Sequence, residues 1–177
     1  MKSKFFPKYT AVIGGVFTAI ICAVMNFFLI PAIEANTQGI RCFDMNFLPT
    51  YEDGLKFLEL IGENGRMIYL ERQLPLDFVY PLFYSLFFIS LIYLLSKGKI
   101  RNILTAVSVL LAVSDYSENI FTLIMLKKGI PSEGFFKAAC ALTCVKTILM
   151  YLIFVALIIL LIVLIARKVS KRKTAGE

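Results

Sequence analysis

Four long apolar stretches constrain this chain more than any other feature: Tyr9 to Ile33, Leu76 to Leu95, Ile103 to Leu126 and Ala138 to Ala166. Each is roughly 20 residues or longer, and at ~1.5 Å per residue each can cross a hydrocarbon layer about 30 Å thick as a helix. A strand in lipid would leave backbone groups without partners, so helices are the expected form. The sequence therefore predicts an all-α integral membrane four-helix bundle, with helices over about 9–33, 76–95, 103–126 and 138–166. Residues 34–75 form a short helical outer cap between helices 1 and 2, and residues 167–177 a basic cytoplasmic tail. The first stretch is too long for the apolar core of a signal peptide and has Glu34 just beyond it, so it reads as an uncleaved helix.

The formal charge of +7 would suggest a nucleic-acid partner if the basic residues were clustered without regard to the helices. They are not. Lys2, Lys4 and Lys8 precede helix 1, Lys97, Lys99 and Arg101 fill the turn between helices 2 and 3, and Arg167, Lys168, Lys171, Arg172 and Lys173 follow helix 4. All eleven fall on one side of the bundle, whereas Glu34 to Gln73 holds four basic and seven acidic residues. The positive-inside rule then places both termini in the cytoplasm of a bacterial inner (plasma) membrane and leaves no role for nucleic acid. The chain contains no His, which removes His-based metal sites, catalytic triads and pH switches. Its four cysteines form no C-x-x-C pair, and Cys140 and Cys144, one helical turn apart, read as small packing residues. No cofactor or metal is expected.

Within the outer segment, TYEDGLKFLELIG reads as an amphipathic helix, with Thr50 and Asp53 as a capping box, Leu55, Leu58 and Ile61 on the apolar face and Gly62 as its stop. A second helical piece, GRMIYLERQL, leads to Pro75 at the first turn of helix 2. The short SKGKIRN and KKGIPSEG connections make helices 2, 3 and 4 antiparallel neighbours, with Ser132 capping helix 4. Gly14 and Gly15 permit a close helix approach.

Helix 3 carries SDYSENI in the middle of its apolar run. Asp115, Glu118 and Asn119 share one face, extended by Thr122. Glu118 lies nine residues from Lys127 and Lys146 nine from Lys137, so both sit roughly 13 Å below the outer markers of their helices. Asn26 falls at nearly the same level, Asp115 one turn deeper and Asp77 shallower, in the first turn of helix 2. A lone charge at a span's centre costs about 2.5–3.5 kcal/mol on insertion scales. The carboxylates of helix 3 are therefore expected to face Lys146 of helix 4. With Asp77 included, three acids stand against one ammonium. A protonated carboxylic acid, Arg66 dipping in from the cap or a bound cation would each correct the difference. Pro81 is expected to kink helix 2 and expose a carbonyl, and Tyr80 and Tyr84 beside it are candidate donors or members of an aromatic belt.

The leading functional reading is binding of a lipid-like or cationic small molecule in the outer half of the bundle. Asp115 and Glu118 supply negative charge and Lys146 balances them. Asn26, Asn119, Tyr80 and Tyr84 supply hydrogen bonds, Asp77 joins the acidic set, and Arg66 and Tyr69 close the site from outside. The alternatives are a membrane enzyme using one of these carboxylic acids on a lipid or isoprenoid, and a non-catalytic scaffold or subunit with a membrane-protein partner or a second copy of itself.

LIGENGRMIY, LDFVYPLFY and DYSEN together resemble a group of small bacterial four-helix membrane proteins without an assigned activity. The overall plan, with Asp77 and its aromatic neighbours, is similar in outline to the sigma-2 receptor and emopamil-binding families. That resemblance implies a helical bundle with a long first connection, intramembrane acids and a pocket for sterols or amphiphilic amines. The histidine of the isomerase branch is missing.

Overall fold

The computed structural model describes residues 5–42 and 49–173, and among these residues every regular element is helical. Four helices are long and apolar enough to cross a membrane: Pro7–Glu34, Gly62–Leu95, Gly98–Lys128 and Glu133–Ser170, here helices 1 to 4. Their outward faces are apolar. Val12 is 64% exposed, Ile103 60% and Ile162 59%, a perimeter that water does not tolerate and lipid does. The chain is accordingly a polytopic membrane protein in plan.

Helix 2 is the hub, packing against helices 1, 3 and 4, while helices 3 and 4 form the other close pair. Helix 1 runs antiparallel to helix 2, as the Thr10–Ser90 hydroxyl pair at 2.6 Å and the stacked rings of Phe17 and Phe83 show. Gly14 sets their separation: a Cβ there would lie 2.9 Å from the Phe87 backbone nitrogen. The turn between helices 2 and 3 uses Gly98 in the left-handed region at φ 59°. Arg101 donates to the Ser96 carbonyl at 2.8 Å and lies over the Tyr93 ring. Gly129, at φ 79°, ends helix 3, and the Ser132 hydroxyl accepts from the Phe135 amide at the start of helix 4.

The start of helix 2 differs from the sequence reading. Pro75 was expected at its first turn but lies inside a continuous helix, while Pro31 stands three residues before the end of helix 1. Each stands two residues after a single π-helical turn, Met25–Leu29 in helix 1 and Tyr69–Gln73 in helix 2. Proline supplies no N–H and its ring crowds the preceding turn, and widening that turn lets the helix continue. The two π-turns pack against each other. Helix 2 thus begins at Gly62, well before residue 76. Helix 4 likewise continues past Arg167 to Lys173. Lys and Arg are good helix formers and suit a C-terminal turn. Residues 174–177 of the expected tail lie outside the described residues.

The connecting helix Tyr51–Leu60 has the capping box read from Thr50 and Asp53: the Asp53 amide donates to the Thr50 hydroxyl, and the Thr50 amide donates to the Asp53 carboxylate at 2.9 Å. Its buried face is Gly54, Phe57 and Ile61, with Leu58 half-buried, while Leu55 is exposed. Gly54 takes Leu55's expected place because Phe136 of helix 4 presses on it; a Cβ would meet the ring at 2.3 Å.

One apolar cluster, built on Ile33, Phe57, Tyr69, Leu74, Leu126 and Phe136, fills the bundle at this end. A second, built on Tyr84, Phe88, Ile92, Leu111 and Ile153, fills the other half. Most buried charged and amide-bearing side chains of helices 3 and 4 lie between them.

Gly14→Ala is expected to cost about 1–3 kcal/mol, the usual range for overpacking, because backbone must retreat from backbone. Gly15→Ala, whose new methyl meets only the Phe87 ring edge at 3.0 Å, should cost less. Unfolding midpoints in mild detergent rank the two. Thr50 holds the Asp53 carboxyl below the ordinary value of 3.8, chiefly through its hydroxyl and then its amide. A depressed folded pKa means that this contribution is present above the unfolded value and is lost as pH falls through the folded one. The Thr50 amide resonance should therefore stay constant down to about pH 4 and shift below it, with no such step in Asp53→Asn.

Candidate functional site

Helix 3 builds one wall of the polar layer. Ser114, Asp115, Glu118, Asn119 and Thr122 are all buried, the face expected from their i, i+3 and i+4 spacing. Facing it, Thr143, Lys146 and Met150 lie one above the other on helix 4. The two walls meet as predicted. Lys146 donates its ammonium to the Glu118 carboxylate, the Thr143 hydroxyl donates to the other Glu118 oxygen, and Lys146 Nζ lies 3.6 Å from Asp115 Oδ1. Asp115 also accepts from the Tyr84 hydroxyl at 2.9 Å, which ties helix 2 to the same group. The charges are close and mostly desolvated, with 3% of the Glu118 side chain exposed against 22% of Lys146.

Pro81 supplies the next connection. It removes the N–H that would bond the Asp77 carbonyl one turn earlier. Asn119 replaces that donor from helix 3, with its Nδ2 2.8 Å from the Asp77 oxygen. The Asp77 carboxylate accepts from Gln73 Nε2 at 3.2 Å, one turn below on its own helix. That bond fixes the orientation of the Gln73 amide, whose Oε1 is buried.

A cavity of about 160 Å³ opens beside this network, lined by Asp77, Tyr80, Asp115 and Lys146 together with Asn26 of helix 1. These are five of the ten residues singled out from the sequence. Glu118, Asn119 and Tyr84 stand behind this lining and orient it. Asn26 turns back on its own helix, donating to the Cys22 carbonyl at 2.8 Å. Arg66 and Tyr69, expected to close the site from outside, do not line the cavity. The Arg66 guanidinium bonds the Leu126 carbonyl in the last turn of helix 3 and the Leu58 carbonyl. A cation at a helix C-terminus is favourable there, since its carbonyls have no intrahelical donors. Tyr69 is fully buried edge-on to Phe57.

The cavity also recruits Gln73, Met25 and Met150, which were not singled out. Gln73 had a readable signal, four residues before Asp77 on one helix face. The two methionines had none, because an apolar residue in an apolar span carries no mark of the side it faces.

Lys146→Met is expected to destabilise the bundle by about 3–5 kcal/mol, since it strands buried carboxylates. Adding Glu118→Gln to Lys146→Met should recover part of that loss. A denaturant-titrated double-mutant cycle measures both, and strict additivity would mean that the pair is not coupled.

Comparison of the chain with family models, curated proteins and solved structures found no match, so the outline likeness to the sigma-2 receptor and emopamil-binding families has none behind it and function is argued from the geometry.

Proposed function

We propose that this protein resides in a bacterial inner membrane with both termini in the cytoplasm, and that it binds a cationic, lipid-like small molecule in the cavity between its helices. The observation that carries this reading is the placement of two carboxylates, Asp77 and Asp115, on the wall of a cavity inside an otherwise apolar bundle. Ionisable groups within spans are expensive and serve function by default. With Glu118 and Lys146 the set has a formal charge of −2 when ionised, and a bound monocation would halve it. Tyr80 offers a hydroxyl on the same wall.

The orientation follows from the basic residues, eleven of which bracket the end carrying the Lys97–Arg101 turn. The cavity then lies toward the extracytoplasmic side. Lys146 takes the part of a fixed counter-ion that holds Asp115 and Glu118 together, and Asp77 stands on the same cavity wall.

Dodecylamine, titrated into detergent-solubilised protein and followed by isothermal calorimetry, is the direct test. Asp115→Asn and Asp77→Asn should each weaken binding about tenfold or more, the equivalent of about 1.4 kcal/mol, while the exposed Lys56→Ala leaves it unchanged. Equal affinity for wild type and both asparagine variants, with folding intact, would sink the reading.

A further inference from the structure

We infer that the cavity is entered sideways from the lipid, through a gap between helices 1 and 4, and that it takes only the head of a single-chain amphiphilic amine, whose hydrocarbon chain stays outside. This rests on the binding role proposed above and adds a route and a size limit.

The route follows from what is closed. Toward the end carrying the connecting helix, the bundle axis is filled by Ile33, Tyr69, Leu74 and Leu126, all 3% exposed or less. In the other direction it is filled by Tyr84, Phe88, Ile92 and Leu111, all 2% exposed or less. A polar guest moving along the axis would have to displace one of these clusters. Sideways, the walls are unequal. Helices 2 and 3 pack together, as do helices 3 and 4 and helices 1 and 2. Helices 1 and 4 make little direct contact, yet both line the cavity, through Asn26 and Ile30 on one side and Lys146 and Met150 on the other.

Exposure marks the same place. Asn26 belongs to the lining and to the outer surface at once, whereas Gln73 and Asp115 on the far walls are buried. Lys146 is the most exposed member of its ion-pair set. The exposed surfaces of helices 1 and 4 near this level are hydrocarbon: Phe27 is 75% exposed, Phe28 69% and Leu152 55%. A molecule arriving through such a surface comes from the acyl-chain region and not from water. The π-turn at Met25–Leu29 lies on the helix 1 side of the gap, and Met25 and Met150, both in the lining, have flexible side chains suited to a sliding chain.

Size sets the ligand class. About 160 Å³ is close to the volume of an engineered cavity that holds one benzene. Six or so heavy atoms fit, which suits an aminoethyl-sized head and excludes a sterol skeleton. A membrane-resident guest must therefore leave most of its length in the gap, and a flexible single chain can do so where a rigid ring system cannot.

The test uses the full-length protein in lipid nanodiscs with dodecylamine carrying a diazirine on its terminal carbon. Photolabels are expected on residues 27–30 of helix 1 and 148–155 of helix 4, and Asp115→Asn should reduce them at least fivefold. Ethylamine should compete at least a hundredfold more weakly than dodecylamine, and Ile30→Trp, at the rim, should slow labelling without lowering the unfolding midpoint. Asp115-dependent labels confined to residues 49–60 would overturn the lateral route and leave the binding role standing, as would equal competition by ethylamine for the size argument. Labelling that ignores both Asp115→Asn and Asp77→Asn would overturn the binding role itself.

Discussion

The structure is organised by the cost of placing charge in hydrocarbon. Asp115 and Glu118 cannot face lipid without a penalty of several kcal/mol, so helix 3 has to turn that face inward, and Lys146 fixes helix 4 opposite. The rest of the bundle follows from this pairing. Helix 3 is the most buried span, with 44% of its most apolar window inside, and helix 4 the least, at 11%. Hydropathy runs the other way. The most apolar helix can spend its surface on lipid, and the polar one cannot.

Hydrogen-bonding groups freed by proline are reused in the same layer. Pro81 releases the Asp77 carbonyl, and an asparagine from the neighbouring helix takes it. Interhelical hydrogen bonds in membranes average only about 0.6 kcal/mol, so this contact does little for stability by itself. Its effect is positional, because it holds Asp77 where the side chain can reach both Gln73 and the cavity. The π-turns before Pro31 and Pro75 act on a larger scale, by letting two helices continue through residues that would otherwise end them. Both turns border the cavity through Met25, Asn26 and Gln73.

Much of this was legible in the sequence, to the extent that each feature has a physical cost that composition must show. Four spans, the capping box of Thr50, the shared face of Asp115 and Glu118 and their meeting with Lys146 all follow from burying backbone or charge. Features whose cost is spread over three dimensions were not legible. The continuation of helix 2 back to Gly62 depends on a π-turn that accommodates Pro75, and periodicity alone reads that proline as a start. Leu55 was assigned inward because it is apolar, and the structure turns Gly54 and Phe57 inward instead, since Phe136 fits only where there is no side chain. Arg66 was assigned to the cavity on charge alone, while the carbonyls at the end of helix 3 compete for it locally and win.

The cavity is the feature on which the proposed binding role and a purely structural role differ. A layer that served only to hold helices together would be packed as densely as the apolar clusters on either side of it. The polar layer instead borders a space of about 160 Å³. Longer side chains at Cys22 or Ile30, both on its wall, would fill it without touching the ion pair. Under the proposed reading, a guest would fill this space, beside two carboxylates and between helices 1 and 4, which make little direct contact.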